Sequence, residues 1–175
     1  MTRTGAHLVV EALVAASIRH LFSLSGNQIL SLYDATLGSG LSILHTRHEA
    51  AAVHMADAWG RLTDEPGVAL VTAGPGHCNA VSALFGALMS ESPVVLLSGH
   101  APVAQIGRGA FQEMDQAAVA APVAKASWMV KDAARLGEDI ATALELARSG
   151  RPPLPHPLMG SGLTFRHSVP QNVGM

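Results

Sequence analysis

A single cysteine, Cys78, leaves no internal disulfide to form and fits a reducing compartment. Charged residues are only 14% and aromatics only 4% of the 175 residues, and the formal net charge is −2. Without a basic excess there is no electrostatic case for nucleic acid or an anionic membrane as partner. No apolar stretch reaches the ~18 residues needed to cross a bilayer as a helix. Arg3 ahead of residues 8–16 has the outline of a secretion signal, but Glu11 interrupts it and no small-x-small cleavage site follows. The expectation is a cytoplasmic protein. What is abundant is apolar: 49% of residues are hydrophobic and the mean hydropathy is +0.29. So little charge on an 18.1 kDa chain, long enough for one domain with a real core, implies a surface buried against something else.

The pattern alternates helices with short apolar strands, which predicts an α/β fold: a mostly parallel sheet with helices on both faces. Helical spacing runs over residues 4–17, then a strand over 20–24 ends at Ser25-Gly26. A helix over 27–37 stops at Gly38-Ser39-Gly40, followed by a strand over 41–45 and a helix over 50–62. After the turn Asp64-Glu65-Pro66-Gly67 comes a fully apolar strand, 68–73, of the buried kind. A small-residue helix over 78–89 and a strand over 94–98 follow. Residues 99–109 read as loop, 127–130 as an edge strand, and 133–148 as the last clear helix. Beyond Gly150 the run Arg151-Pro152-Pro153-Leu154-Pro155-His156-Pro157 holds four prolines in seven residues, which neither donate to a ladder nor continue a helix. Residues 1–150 are therefore read as one domain and 151–175 as a divergent, disordered tail without a strand.

Three junctions offer chemistry. Glu49 stands where a strand passes into a helix, at the carboxyl edge of the expected sheet, where open α/β folds place their ligands. The competing role is structural: Thr46-x-x-Glu49 reads as a capping box, and an acid in a first turn complements the helix dipole. Gly74-Pro75-Gly76 also lies between strand and helix, so its amides could face a ligand, or it is a tight turn that lets helix approach sheet. It is neither a Walker A loop nor Gly-x-Gly-x-x-Gly. Phe111-Gln112-Glu113 falls in a loop after the fourth strand, and Ser25-Gly26-Asn27-Gln28 at the exit of the first; both are expected places for binding residues, although an exposed Gln or Glu needs no role. The nine histidines suggest no metal. His45, His48 and His54 do not converge on a helix, His77 and Cys78 face apart, and no zinc spacing occurs. Nor does Cys78 have an identifiable base to make it a nucleophile.

Six motifs stand in a recognisable order. They are Ile18-Arg19-His20-Leu21-Phe22 with Gly26; Arg47-His48-Glu49-Ala50-Ala51-Ala52; Met55-Ala56-Asp57-Ala58-Trp59-Gly60-Arg61; Thr72-Ala73-Gly74-Pro75-Gly76 with Asn79; Ser92-Pro93 leading into 94–99; and Gly109-Ala110-Phe111-Gln112-Glu113-Met114-Asp115-Gln116 with Lys125. Over residues 3–151 the chain resembles the N-terminal pyrimidine-binding (Pyr) domain of thiamine-diphosphate enzymes, on the acetolactate synthase and benzaldehyde lyase branch. The resemblance implies decarboxylation of a 2-oxo acid, or carboligation and lyase chemistry on a 2-hydroxy ketone. It implies that Glu49 is the activating acid, hydrogen-bonded to the pyrimidine ring in an apolar setting that strengthens the bond. It further implies that Gly74, Pro75 and Gly76 lie beside that ring with Asn79 and Gly26 in support, and that Gln28, Phe111 and Gln112 line the substrate pocket.

In the same family a second domain carrying Gly-Asp-Gly and a following Asn holds the diphosphate and its magnesium. No Gly-Asp-Gly occurs in this sequence. The expectation is thus the pyrimidine end of the cofactor only, no metal on this chain, and a diphosphate-binding domain or subunit in trans within an oligomer. Two alternatives stay open: the Pyr subunit of a split, sulfopyruvate-decarboxylase-like enzyme, and a non-catalytic remnant or interaction module. The phrase Ser149-Gly150-Arg151-Pro152 begins as in related chains and then departs from their Gly-Pro-Val-rich final strand, as a truncation or shifted reading frame would.

Overall fold

The computed structural model describes residues 4–149 and, as backbone, residues 160–164. Six strands form one sheet: β1 (His20–Ser23), β2 (Ser42–His45), β3 (Gly67–Val71), β4 (Val94–Ser98), β5 (Lys125–Met129) and β6 (Gly160–Thr164). Their order is β2-β1-β3-β4-β6-β5, and every pairing is parallel. The helices are α1 (Gly5–Ala15), α2 (Leu30–Thr36), α3 (Glu49–Thr63), α4 (Pro75–Met89), α5 (Gln116–Ala120) and α6 (Leu136–Arg148). This is the α/β arrangement that the alternating pattern predicts.

Strand alternation divides the core in two. Leu21, Val68, Leu70, Val95 and Leu97 face one side, where Val9, Val10 and Leu13 of α1, Leu32 of α2 and Ile140 and Leu144 of α6 cover them. Phe22, Ala69, Val71, Val94 and Leu96 face the other, under Ala52, Val53 and Ala56 of α3, Ala80, Ala83, Leu84 and Ala87 of α4 and Ala120 of α5. That second layer is built largely from alanine, so α3 and α4 lie close to the sheet. At Gly67 the approach is extreme: a methyl there would stand 2.0 Å from the Ala56 carbonyl oxygen.

Among the differences from the sequence reading, four matter most. The helix expected over 27–37 opens with a 3-10 turn, Asn27–Ile29, before α2 begins. Helix α4 starts at Pro75 rather than Cys78, because proline's fixed φ suits a first helical position and Gly74 turns the chain into it. Helix α5 was not expected; it is too short to show periodicity, and Asp115 caps it by accepting from Ala118 N at 3.0 Å. The largest correction concerns the tail. Instead of having no strand after Pro152, the chain returns as β6 between β4 and β5, so the sheet extends beyond the expected limit at residue 150. Ladder bonds on both sides come from backbone alone, so a segment rich in glycine and serine fills a central slot without the apolar run that marks a buried strand. The other residues of that tail lie outside the described ones.

The sheet sends β2 to one side of β1 and β3 to the other. At such a reversal the loops leaving the carboxyl ends diverge and open a crevice. Residues 24–28, 46–49 and 72–76 all leave the sheet at this edge.

Candidate functional site

Glu49 is the first residue of α3 and is 8% exposed. The helix is not capped by Thr46. His48 occupies the N-cap position, and its Nδ1 accepts from Ala50 N at 3.1 Å. Thr46 instead donates its hydroxyl to the His48 carbonyl at 3.0 Å, so the capping box read from Thr46-x-x-Glu49 is not formed. The Glu49 carboxylate points across to α4, where Oε2 accepts from Asn79 Nδ2 at 3.0 Å. Oε1 faces Gly76, 3.0 Å from where a methyl on that residue would stand. A buried acid at the positive end of a helix, anchored by one oxygen and bare toward a glycine, can present the other oxygen to a hydrogen-bonding ring.

Thr72 ties the neighbouring pieces together. Its hydroxyl donates to Gln28 Oε1 at 2.6 Å, and its side chain fills the space that a Cβ on Gly26 or Gly76 would need, 2.4 Å and 2.7 Å away. Gly74 has φ +58° and ψ −117°, a conformation that only glycine adopts readily, and its bare face packs on Gln112, whose Cβ would lie 2.9 Å from a Gly74 methyl. Gln112 itself has φ +60° and is half-buried. Glu113 holds that strained loop: its carboxylate accepts from the Gly107 and Ala110 amides, and those bonds, Gly107's first, keep it below the usual carboxylate range. Pro75 is exposed at the start of α4. Of the residues singled out from sequence, Glu49, Gly26, Gln28, Gly74, Gly76, Asn79 and Gln112 form one connected cluster around Thr72. Phe111 stands apart from it, 74% exposed on the loop.

Beneath the cluster lies a polar layer that the sequence reading missed. Gln116 is fully buried, accepting from Gly74 N at 3.0 Å and donating to Gly99 O at 2.9 Å. His77, 1% exposed, shares a 2.7 Å hydrogen bond with Ser98 Oγ, and its Nε2 has no partner of good geometry. Burial pushes its pKa down to about 4; the Gln116 backbone pulls the other way and His100 adds to the fall. His100, also 1% exposed, bonds the Met114 carbonyl through Nε2 at 3.0 Å. Polar side chains read as surface from sequence, and only the turn at Gly74, whose amide needs an acceptor, hinted at a partner. Among the described residues no group of three or more His, Cys, Asp or Glu could hold a metal ion, and no helix is long and apolar enough to cross a membrane.

The family model described as thiamine pyrophosphate enzyme, N-terminal TPP binding domain, matches residues 3–119. The chain is 38% identical over 179 aligned residues to acetolactate synthase isozyme 3 large subunit of Escherichia coli (strain K12), covering 98% of this chain and 31% of that protein. It is 40% identical to the acetolactate synthase large subunit of Haemophilus influenzae over 85% of this chain and 26% of that one. Against the mitochondrial acetolactate synthase of Schizosaccharomyces pombe it is 38% identical, over 86% and 23%. The chain thus spans less than a third of the length of these relatives. Matched over more than half its length by that family model, the chain belongs to the thiamine pyrophosphate enzymes, as their N-terminal TPP-binding domain.

Proposed function

We propose that this chain supplies the pyrimidine half of a thiamine-diphosphate site in an acetolactate-synthase-like enzyme that decarboxylates a 2-oxo acid or joins or cleaves a bond beside a carbonyl. The observation that carries the reading is the Glu49 carboxylate, buried at the start of α3, held by Asn79 and open toward Gly76. A flat heteroaromatic ring fits against glycines that leave room for it, and a ring nitrogen fits an acid. When bound, thiamine diphosphate supplies the carbon nucleophile that attacks the substrate carbonyl. Glu49 hydrogen-bonds the ring nitrogen and holds the proton there; Asn79 fixes the direction of the carboxylate. Gly74, Pro75 and Gly76 flank the ring, and Gly26 lets the first loop close on Thr72. Gln28 and Gln112 face the substrate, and Phe111 lies on the loop that carries Gln112.

The diphosphate and its magnesium belong, in this reading, to a partner domain in trans. Support comes from the outer side of α3 and α4, where Met55 (37%), Leu62 (85%), Phe85 (48%) and Met89 (67%) are exposed. Met55 and Leu62 are seven residues apart on α3, and Phe85 and Met89 four apart on α4, so each helix presents an apolar stripe. A partner seated there would cover the helices that begin at Glu49 and carry Asn79, excluding water from the carboxylate. The reading also places the protein in the cytoplasm.

The test is Glu49→Gln in the assembled enzyme, formed with the diphosphate-binding domain that restores activity. The amide keeps the size and the Asn79 contact but holds no acidic proton. Exchange of the cofactor C2 hydrogen should slow by about 10²- to 10⁴-fold with folding intact. Exchange at wild-type speed would remove Glu49 from the role.

A further inference from the structure

Three segments meet below the Gly74 turn: the exit of β4 (Ser98, Gly99, His100), the start of α4 (Gly74, His77), and the end of the loop that carries Phe111 and Gln112 (Met114, Gln116). Gln116 is the piece that joins all three. It is fully buried, and both ends of its amide are spent on backbone: Oε1 on the Gly74 amide at 3.0 Å, Nε2 on the Gly99 carbonyl at 2.9 Å. Gly74 is the N-cap residue of α4, so its amide belongs to the helix start, where N–H groups have no intrahelical acceptor. The His100 bond to the Met114 carbonyl fastens the same loop end a second time. The loop then folds back until Gln112 touches the bare face of Gly74.

We propose that Gln116 is a positioning residue whose side chain fixes the spacing between the Gly74 turn and the Gln112 loop, and so between the cofactor's ring and the substrate. The inference rests on the proposed function for what the two segments hold, but the strap itself is a property of this chain. A glutamine suits the task because it alone among uncharged side chains of this length offers one acceptor and one donor in a fixed plane. Methionine has nearly the same volume and neither group, whereas glutamate keeps the acceptor and loses the donor. The two substitutions therefore dissect the strap.

The experiment is residue-resolved amide hydrogen exchange on the full chain as wild type, Gln116→Met and Gln116→Glu, followed by titration of each with thiamine diphosphate while amide shifts are read. In Gln116→Met the Gly74 amide should exchange roughly 10-fold faster or more, and residues 101–115 should lose protection, while β1 and β3 keep theirs. In Gln116→Glu the Gly74 amide should stay protected while residues 99–115 loosen. A role in packing alone would leave exchange unchanged in the methionine variant, and that outcome overturns the proposal. Should Gln116→Met fail to fold, Gln116→Glu decides: loosening confined to 99–115 supports the strap, and wild-type protection throughout overturns it. In the titration, wild-type shifts at Gly74, Gly76 and Asn79 that shrink in Gln116→Met support the link to the cofactor. Wild-type shifts that persist undiminished in a variant with a loosened loop sink that link. With the cofactor at tens of millimolar, above the roughly millimolar dissociation constant expected of the chain alone, absence of any shift in the wild type would count against the cofactor reading, while the exchange rates still judge the strap.

Discussion

Glu49 owes its direction to Asn79, thirty residues away, and not to its own helix. His48 and the Ala50 amide meet the helix-capping need locally, which leaves both Glu49 oxygens for contacts across the crevice. The sequence offered two jobs for this residue, cap partner or ligand, and the geometry removes the first. His77 is the opposite case: a buried group that sequence gave no reason to single out. Its folded pKa of about 4 lies below the ordinary 6.5, chiefly because burial disfavours the charged ring. Between those values the unfolded chain binds a proton that the folded chain refuses. His77 therefore leaves stability intact above pH ~6.5 and erodes it as pH falls toward 4, by on the order of 3 kcal/mol across the window. Urea midpoints measured from pH 7 to pH 4 should fall along that course. His77→Gln, which cannot titrate, should flatten the curve; an equally steep decline in the variant would show that other groups carry the acid sensitivity.

Elements were largely legible because apolar periodicity survives translation into strands and helices. The all-apolar runs 68–71 and 94–97 fall in β3 and β4, buried on both faces. Gly67 shows what periodicity hides: it reads as the end of a turn, yet it is the point where α3 lies on the sheet. Gly67→Ala sets a methyl 2.0 Å from the Ala56 carbonyl, against backbone that has no rotamer to change. The cost should reach about 3 kcal/mol or more, seen as a clear drop in the denaturant midpoint. An unchanged midpoint would mean that α3 moves freely over β3. β6 was illegible for a different reason, since its pairing is backbone chemistry and its residues carry no strand pattern. Deleting residues 154–175 should therefore unpair the facing edges of β4 and β5. Thermal unfolding should shift down by several degrees and exposed edges should promote aggregation. A truncated chain that melts like the intact one would show that β6 adds nothing.

At the scale of the whole molecule, the proposed reading has this chain build only one side of the site. The described residues offer a carboxylate, glycines and amide side chains for a ring, and no carboxylate cluster for a metal. Most of the affinity for thiamine diphosphate should come from its dianionic tail and the cation beside it, whose holder is proposed to be a partner. A ring against one half-pocket gains a few hydrogen bonds and modest apolar contact, while binding costs several kcal/mol of lost freedom. The chain alone should thus bind the cofactor with millimolar affinity at best, about −4 kcal/mol. The exposed Leu62, Phe85 and Met89 should at the same time drive self-association, since apolar surface of this kind is rarely left in water. Calorimetry with magnesium and thiamine diphosphate tests the first expectation, and sedimentation of the wild type beside Leu62→Lys, Phe85→Lys tests the second. The double substitution should shift the distribution toward monomer without altering the circular dichroism spectrum. A micromolar dissociation constant for the isolated chain would mean that it grips the diphosphate itself. A wild type that stays monomeric at high concentration would mean that the α3 and α4 face does not take a second copy of this chain.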